Sequence, residues 1–222
     1  MSAAEIFGYC SMVTMIVPIV FGTITFSKSP FPIRWHTGFL IYSLCSTIIS
    51  LVLARMSIPN HALSHIYVVI KGTTYFSIFT YFLPNYRKNL SRFLIILLVI
   101  FTCESIYTNG GIDRYPTIPN IFTSVLLVIL AIMFIQKRIL GTTFHESGYI
   151  FTWICISIII SESISVSVQA VTNYLLDTER YSFLRKIYAV KNLAFFISTL
   201  TLGYGYFRHY RQRGRMNMET KV

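Results

Sequence analysis

Apolar residues along this chain fall into long continuous runs, such as Phe93-Leu-Ile-Ile-Leu-Leu-Val-Ile-Phe101, without the two-residue alternation of a barrel strand. Seven stretches reach the roughly 20 residues that a bilayer-spanning helix needs. They cover about 5–26, 35–56, 64–84, 91–108, 118–136, 148–176 and 186–207. The separators are short and rich in helix breakers: Lys28-Ser-Pro-Phe-Pro, Pro59-Asn-His, Pro84-Asn-Tyr-Arg-Lys, Asn109-Gly-Gly, Lys137-Arg138 with Gly141, and Asp177-Thr-Glu-Arg. Connections of this length make consecutive helices antiparallel neighbours. The expected fold is all-α, a bundle of seven transmembrane helices. Helices rather than loops or open sheets follow from the need to satisfy every backbone polar group internally in hydrocarbon.

Composition sharpens this. Hydrophobic residues make up 54% of the 222 positions and charged residues 12%, against about 25% charged in an ordinary soluble domain. That excludes a water-soluble globular domain, a disordered tail and a disulfide-stapled module. Cys10, Cys45, Cys103 and Cys155 each fall in a different apolar run and read as small hydrophobes. The first run has no Lys or Arg before it and Glu5 near its start, so a retained helix is expected rather than a signal peptide.

The formal charge of +11 is mostly a topology signal. With the N-terminus outside, twelve Lys and Arg fall on the cytoplasmic side, including Lys28, Arg34, Arg87, Lys137 and the tail from Arg208. Five fall outside: Arg55, Arg114, Arg180, Arg185 and Lys186. The bias predicts the N-terminus out and the C-terminus in. One seven-helix domain is expected over 1–207, followed by a short basic cytoplasmic tail over 208–222. That tail, Arg208-His-Tyr-Arg-Gln-Arg-Gly-Arg, is expected to touch anionic lipid head groups rather than nucleic acid.

Candidate chemistry lies in the ionisable residues within the runs, where a charge is costly. Lys71, Glu104, Glu162 and Lys191 fall at similar depth with opposite signs. In the sixth run, Glu162, Ser165, Gln169 and Asn173 recur at helical spacing and share one face. In the third, Tyr67, Lys71, Thr74 and Ser77 form a second polar stripe, and Tyr188, Lys191 and Asn192 stand at the same level in the seventh. These positions predict a ligand-binding pocket opening outward among helices 3, 6 and 7, lined by Tyr67, Lys71, Glu104, Glu162, Gln169, Asn173, Tyr188, Lys191 and Asn192. The competing reading of the polar residues is interhelical hydrogen bonding, which for the serines is the stronger one.

Catalytic signatures are missing. His61 and His65 are four apart, but two ligands do not make a zinc site. No His-Glu-x-x-His, Gly-x-Ser-x-Gly or P-loop occurs. A retinal-type Schiff base at Lys191 would want carboxylates that Lys71 and Ile187 do not supply. No cofactor and no metal is expected.

The stretch His65-Ile66-Tyr67 after Asn60, the aromatic entry Tyr149-Ile-Phe-Thr-Trp153 and Asn192 resemble features of an uncharacterised family of small bacterial seven-transmembrane-helix proteins. The resemblance covers nearly the whole chain. It implies a multi-pass protein of the bacterial inner membrane and brings no activity and no site residue with it. The expected partners are the lipid bilayer and a small polar or amphiphilic ligand, and the expected role is a receptor-like or sensory module. A small-solute transporter is the alternative. A membrane-embedded hydrolase ranks third, for want of a nucleophile, base or metal set.

Overall fold

Each apolar run becomes one helix. The computed structural model describes residues 3–107, 116–141 and 148–219, without the side chains of 102, 104–107, 173, 177 and 213–219. Among the described residues there are seven α-helices and no strand: α1 (Ala3–Ile24), α2 (Phe31–Arg55), α3 (His61–Phe82), α4 (Arg87–Tyr107), α5 (Thr117–Ile139), α6 (Gly148–Asp177) and α7 (Tyr181–Glu219).

Local chemistry sets the ends. α2 starts before its apolar run because Pro30 takes the cap position and Pro32 falls in the first turn, where a missing N–H costs nothing. Pro84 ends α3, since proline clashes with a continuing helix. α2 and α6 both close through a left-handed residue, Ser57 at φ 57° and Glu179 at φ 54°. There Ile58 N–H donates to the Leu53 carbonyl and Arg180 N–H to that of Leu175, which satisfies carbonyls the helix leaves open. α7 runs past Phe207 to Glu219, so residues 208–219 of the basic segment continue the last helix. Arginine, glutamine and methionine are good helix formers, and nothing in Arg208–Glu219 is proline.

The helices alternate in direction. α1 and α7 run parallel, since Thr14 meets Thr199 and, further along, Phe21 meets Phe207 and Tyr210. α6 runs antiparallel to α7, with Ser157 on Ser198 and Trp153 on Tyr204. α5 is antiparallel to α6, with Ser124 on Glu162 and Arg138 on Thr152. α3 lies parallel to α5 and antiparallel to α2, where His36 meets Tyr75 and Ser43 meets Tyr67. The start of α1 and the end of α7 therefore lie at opposite ends of the bundle.

Small residues let the first and last helices close up. The buried positions of α1 are Ser11, Met15, Pro18 and Gly22, one stripe at helical spacing. A Cβ on Gly203 of α7 would meet Val17 Cγ1 at 3.3 Å, and one on Gly22 would meet Tyr206 Cε1 of α7 at 2.9 Å. Backbones this close gain dispersion and interhelical hydrogen bonds, the forces that hold helices together in lipid.

Burial is reversed relative to a soluble protein. α1, α2, α5 and the stretch Tyr149–Thr172 of α6 are long and apolar enough to cross a membrane by length and composition. Large apolar side chains stand exposed along the outer faces, among them Val13 and Val20 of α1, Ile95 and Val99 of α4, and Ile129 and Ile132 of α5. Contiguous apolar surface on this scale marks a lipid or protein contact. The interior, by contrast, holds His36, His65, Lys71, Asn120 and Gln169. α3 is packed by α2, α4 and α5, and two of its polar residues reach across to them: Tyr67 to Ser43 of α2 and Lys71 to Asn120 of α5.

Candidate functional site

Lys71 lies near the middle of α3 and is 3% exposed. An ammonium has three donors and no acceptor, and each donor has a partner. Lys71 Nζ donates to Asn120 Oδ1 at 3.0 Å, to Glu162 Oε2 at 3.1 Å and to Ser124 Oγ at 3.3 Å. The Ser124 hydroxyl in turn donates to Glu162 Oε2. Asn120 and Ser124 are four apart on α5, so both face the gap between α3 and α6. The result is a closed network of one cation, one anion and two neutral groups drawn from three helices. Its Lys71–Glu162 contact is the ion pair found among the described residues.

The other half of the Glu162 carboxylate is open. The side chain keeps 15% of its surface exposed, and Oε1 makes no hydrogen bond among the described residues. Two turns further along the same interior face of α6, Gln169 is 3% exposed and its Oε1 has no hydrogen-bond partner among the described residues. A buried acceptor without a donor costs about 1–3 kcal/mol, so such atoms are normally met by water or a ligand. Ser165 lies between them, also buried.

Toward the other end of the bundle the interior is closed by rings. Phe151 of α6 stacks on Phe82 at 4.1 Å and meets Phe134 at 4.7 Å and Phe79 at 5.3 Å. All four are buried. Each lies about two to three turns beyond the ion pair on its own helix, so α3, α5 and α6 build this aromatic plug together.

Of the residues expected to share a pocket, Lys71, Glu162 and Gln169 face one interior. Lys191 of α7 sits over the Tyr188 ring at 5.2 Å. Two residues point elsewhere. Tyr67 turns to α2, stacking on Tyr42 and lying 3.4 Å from Ser43 Oγ. The i, i+4 spacing puts Tyr67 and Lys71 on one side of α3, but the long Tyr67 side chain is held by α2 while the Lys71 ammonium reaches α5 and α6. Asn192 belongs to the seam between α1 and α7: its amide donates to the Ala4 carbonyl at 2.8 Å. Adjacent residues on a helix do not share a face, so Lys191 and Asn192 serve different neighbours. The side chains of Glu104 and Asn173 lie outside the described residues, as do the Asn109 turn and His145.

Sequence reasoning missed the α5 partners. Their signal was present, as Asn120 and Ser124 are polar at helical spacing just after Pro119. It also missed a second buried cluster. His36 of α2 lies with Nδ1 2.9 Å from Tyr206 Oη and Nε2 3.3 Å from Tyr75 Oη, while Thr37 Oγ1 lies 3.2 Å from Tyr206 Oη. A neutral imidazole donates from one nitrogen and accepts at the other, so the two tyrosines play opposite roles. Nothing local announces this cluster, because its members come from α2, α3 and α7. Tyr75 stands one turn beyond Lys71, and His36 and Tyr206 lie on the plug side of the ion pair.

Comparison with known proteins finds no match: no family model, no curated protein and no solved structure is similar to this chain.

Proposed function

We propose that this chain is a seven-span membrane protein, N-terminus out and C-terminus in, acting as a receptor-like module for a small polar or amphiphilic ligand. The exposed apolar faces, the alternating helix directions and the excess of Lys and Arg at the α7 end support the spans and the orientation. A bacterial inner membrane is the location implied by the resemblance read from His65-Ile66-Tyr67, Tyr149–Trp153 and Asn192 in the sequence.

The observation that carries the ligand reading is the interior face of α6 between Glu162 and Gln169. Among the described residues it offers two acceptor oxygens with no donors, at the end of the interior away from the phenylalanine plug. A ligand with N–H or O–H groups answers both. Lys71 does not compete for it, since its own donors are spent on Asn120, Ser124 and Glu162. The plug favours binding over passage, because a route through the bundle would have to part four packed rings.

The test is thermal stability of the detergent-solubilised protein in the presence of short alkylamines and amino alcohols. The expected result is a rise in melting temperature that Gln169→Leu diminishes, with no flux of the same probe into proteoliposomes. An unchanged melting temperature, or a rise equal in Gln169→Leu, overturns the site. Flux into proteoliposomes replaces the receptor with a transporter.

A further inference from the structure

A cavity of about 530 Å³ opens on the outside of the bundle between α2 and α3. Its walls are aromatic: Phe26, Phe31, Trp35, Phe39 and Tyr42. Phe31, Trp35, Gly38 and Tyr42 fall at helical spacing along one face of α2, while Ile70 and Thr74 of α3 form the other side. Phe31 and Trp35 lie ring against ring at 5.5 Å, and both are about half exposed. Gly38 leaves the groove open, since a Cβ built on it meets nothing within 4 Å. This volume lies within the range of small-ligand sites.

One charge lines the groove. Arg34, in the first turn of α2, is exposed, and its guanidinium makes no hydrogen bond or ion pair among the described residues. Among the described residues no carboxylate lines the groove to compensate it. The positive end of the α2 macrodipole adds to the same field. A planar fork of donors at the mouth of an apolar slot matches a molecule with a phosphate at one end and a hydrocarbon chain at the other. Aromatic rings beside an arginine at a helix end suit the membrane interface, where such a molecule is at hand.

We propose that the α2–α3 groove is a binding site for an anionic phospholipid, its phosphate on Arg34 and an acyl chain along Phe31, Trp35 and Gly38. The proposal rests on the membrane reading given above, and it is independent of the Glu162–Gln169 site.

Trp35 reports on it directly. The chain has two tryptophans, so Trp153→Phe leaves Trp35 as the reporter. The full chain is reconstituted in phosphatidylcholine vesicles containing either dibrominated phosphatidylglycerol or dibrominated phosphatidylcholine, and quenching of Trp35 is measured. Quenching by the anionic lipid is expected to correspond to about fivefold stronger association, the effect of one basic residue near an anionic head group. Arg34→Gln is expected to erase that preference. Gly38→Leu, which grows into open space, is expected to reduce quenching by the anionic lipid while the protein stays folded. Equal quenching by the two lipids overturns the site and leaves the membrane reading standing. Absence of quenching by either overturns both. Stronger quenching by dibromostearic acid than by the phospholipid overturns the phospholipid assignment in favour of a free fatty acid.

Discussion

Replacing Lys71 by methionine strands the Glu162 carboxylate in the bundle interior with Ser124 as its one remaining donor. Removing one partner of a buried pair costs about 3–5 kcal/mol, because the other charge is left uncompensated. Lys71→Met falls in that range, as the ammonium is 3% exposed and Asn120 Oδ1 loses its donor as well. Glu162→Gln is milder, about 2–3 kcal/mol, the worth of a hydrogen bond to a charged group. The glutamine oxygen still accepts from Lys71, which also keeps Asn120 and Ser124. The double mutant contains no stranded charge, so it should be more stable than Lys71→Met alone. The coupling is then at least about 2–3 kcal/mol, the cost of Glu162→Gln alone, which is the upper part of the range for residues in one network. The assay is unfolding of dodecylmaltoside-solubilised protein by sodium dodecyl sulfate, followed by tryptophan fluorescence. A parallel cycle with Lys191→Met is expected to show weaker coupling, since the ion pair of Glu162 is made with Lys71. Additive losses in the Lys71/Glu162 cycle would refute the network as an energetic unit.

Tyr206→Phe is expected to destabilise by about 1–3 kcal/mol in the same unfolding assay, because buried His36 and Thr37 lose their shared hydroxyl. A loss no larger than that of an exposed Tyr210→Phe would remove the His36 cluster from the account. Gly205→Ala is expected to cost about 1–3 kcal/mol by overpacking, since the new Cβ would meet Trp153 Cβ at 2.5 Å. Gly38→Ala, which meets nothing, is expected to be neutral or slightly stabilising, and equal losses at the two glycines would contradict the packing of α6 on α7.

The helices were legible in the sequence because their signal is local: an apolar run between breakers has few other ways to satisfy its backbone. Their ends were less so. Pro30 and Pro32 read as breakers, yet at the start of a helix they are tolerated, and α2 begins earlier than its apolar run. The basic residues after Phe207 read as a tail, yet Arg, Gln and Met propagate a helix that packing has already nucleated. In the site, periodicity put Glu162, Ser165 and Gln169 on one face of α6, and the opposite signs of Lys71 and Glu162 pointed to each other. What periodicity does not carry is azimuth relative to other helices. That is why Tyr67 and Asn192, polar and at the right depth, face α2 and α1 instead. It is also why Asn120, which completes the Lys71 shell, and Tyr206, which meets His36 from 170 positions away, went unread.

The central claim is a polar site on α6 that opens to the outer side of a membrane-spanning bundle. Its most direct test is Gln169→Cys in a chain whose four cysteines are replaced, treated in intact cells with a membrane-impermeant methanethiosulfonate. Tyr181→Cys, exposed at the near end of α7, and Leu140→Cys, exposed at the far end of α5, serve as outer and inner controls. The account predicts that Gln169→Cys and Tyr181→Cys are modified from outside and that Leu140→Cys is protected until the cells are opened. Modification of Leu140→Cys with protection of Tyr181→Cys would reverse the orientation, and protection of Gln169→Cys while Tyr181→Cys reacts would contradict the outward-opening site.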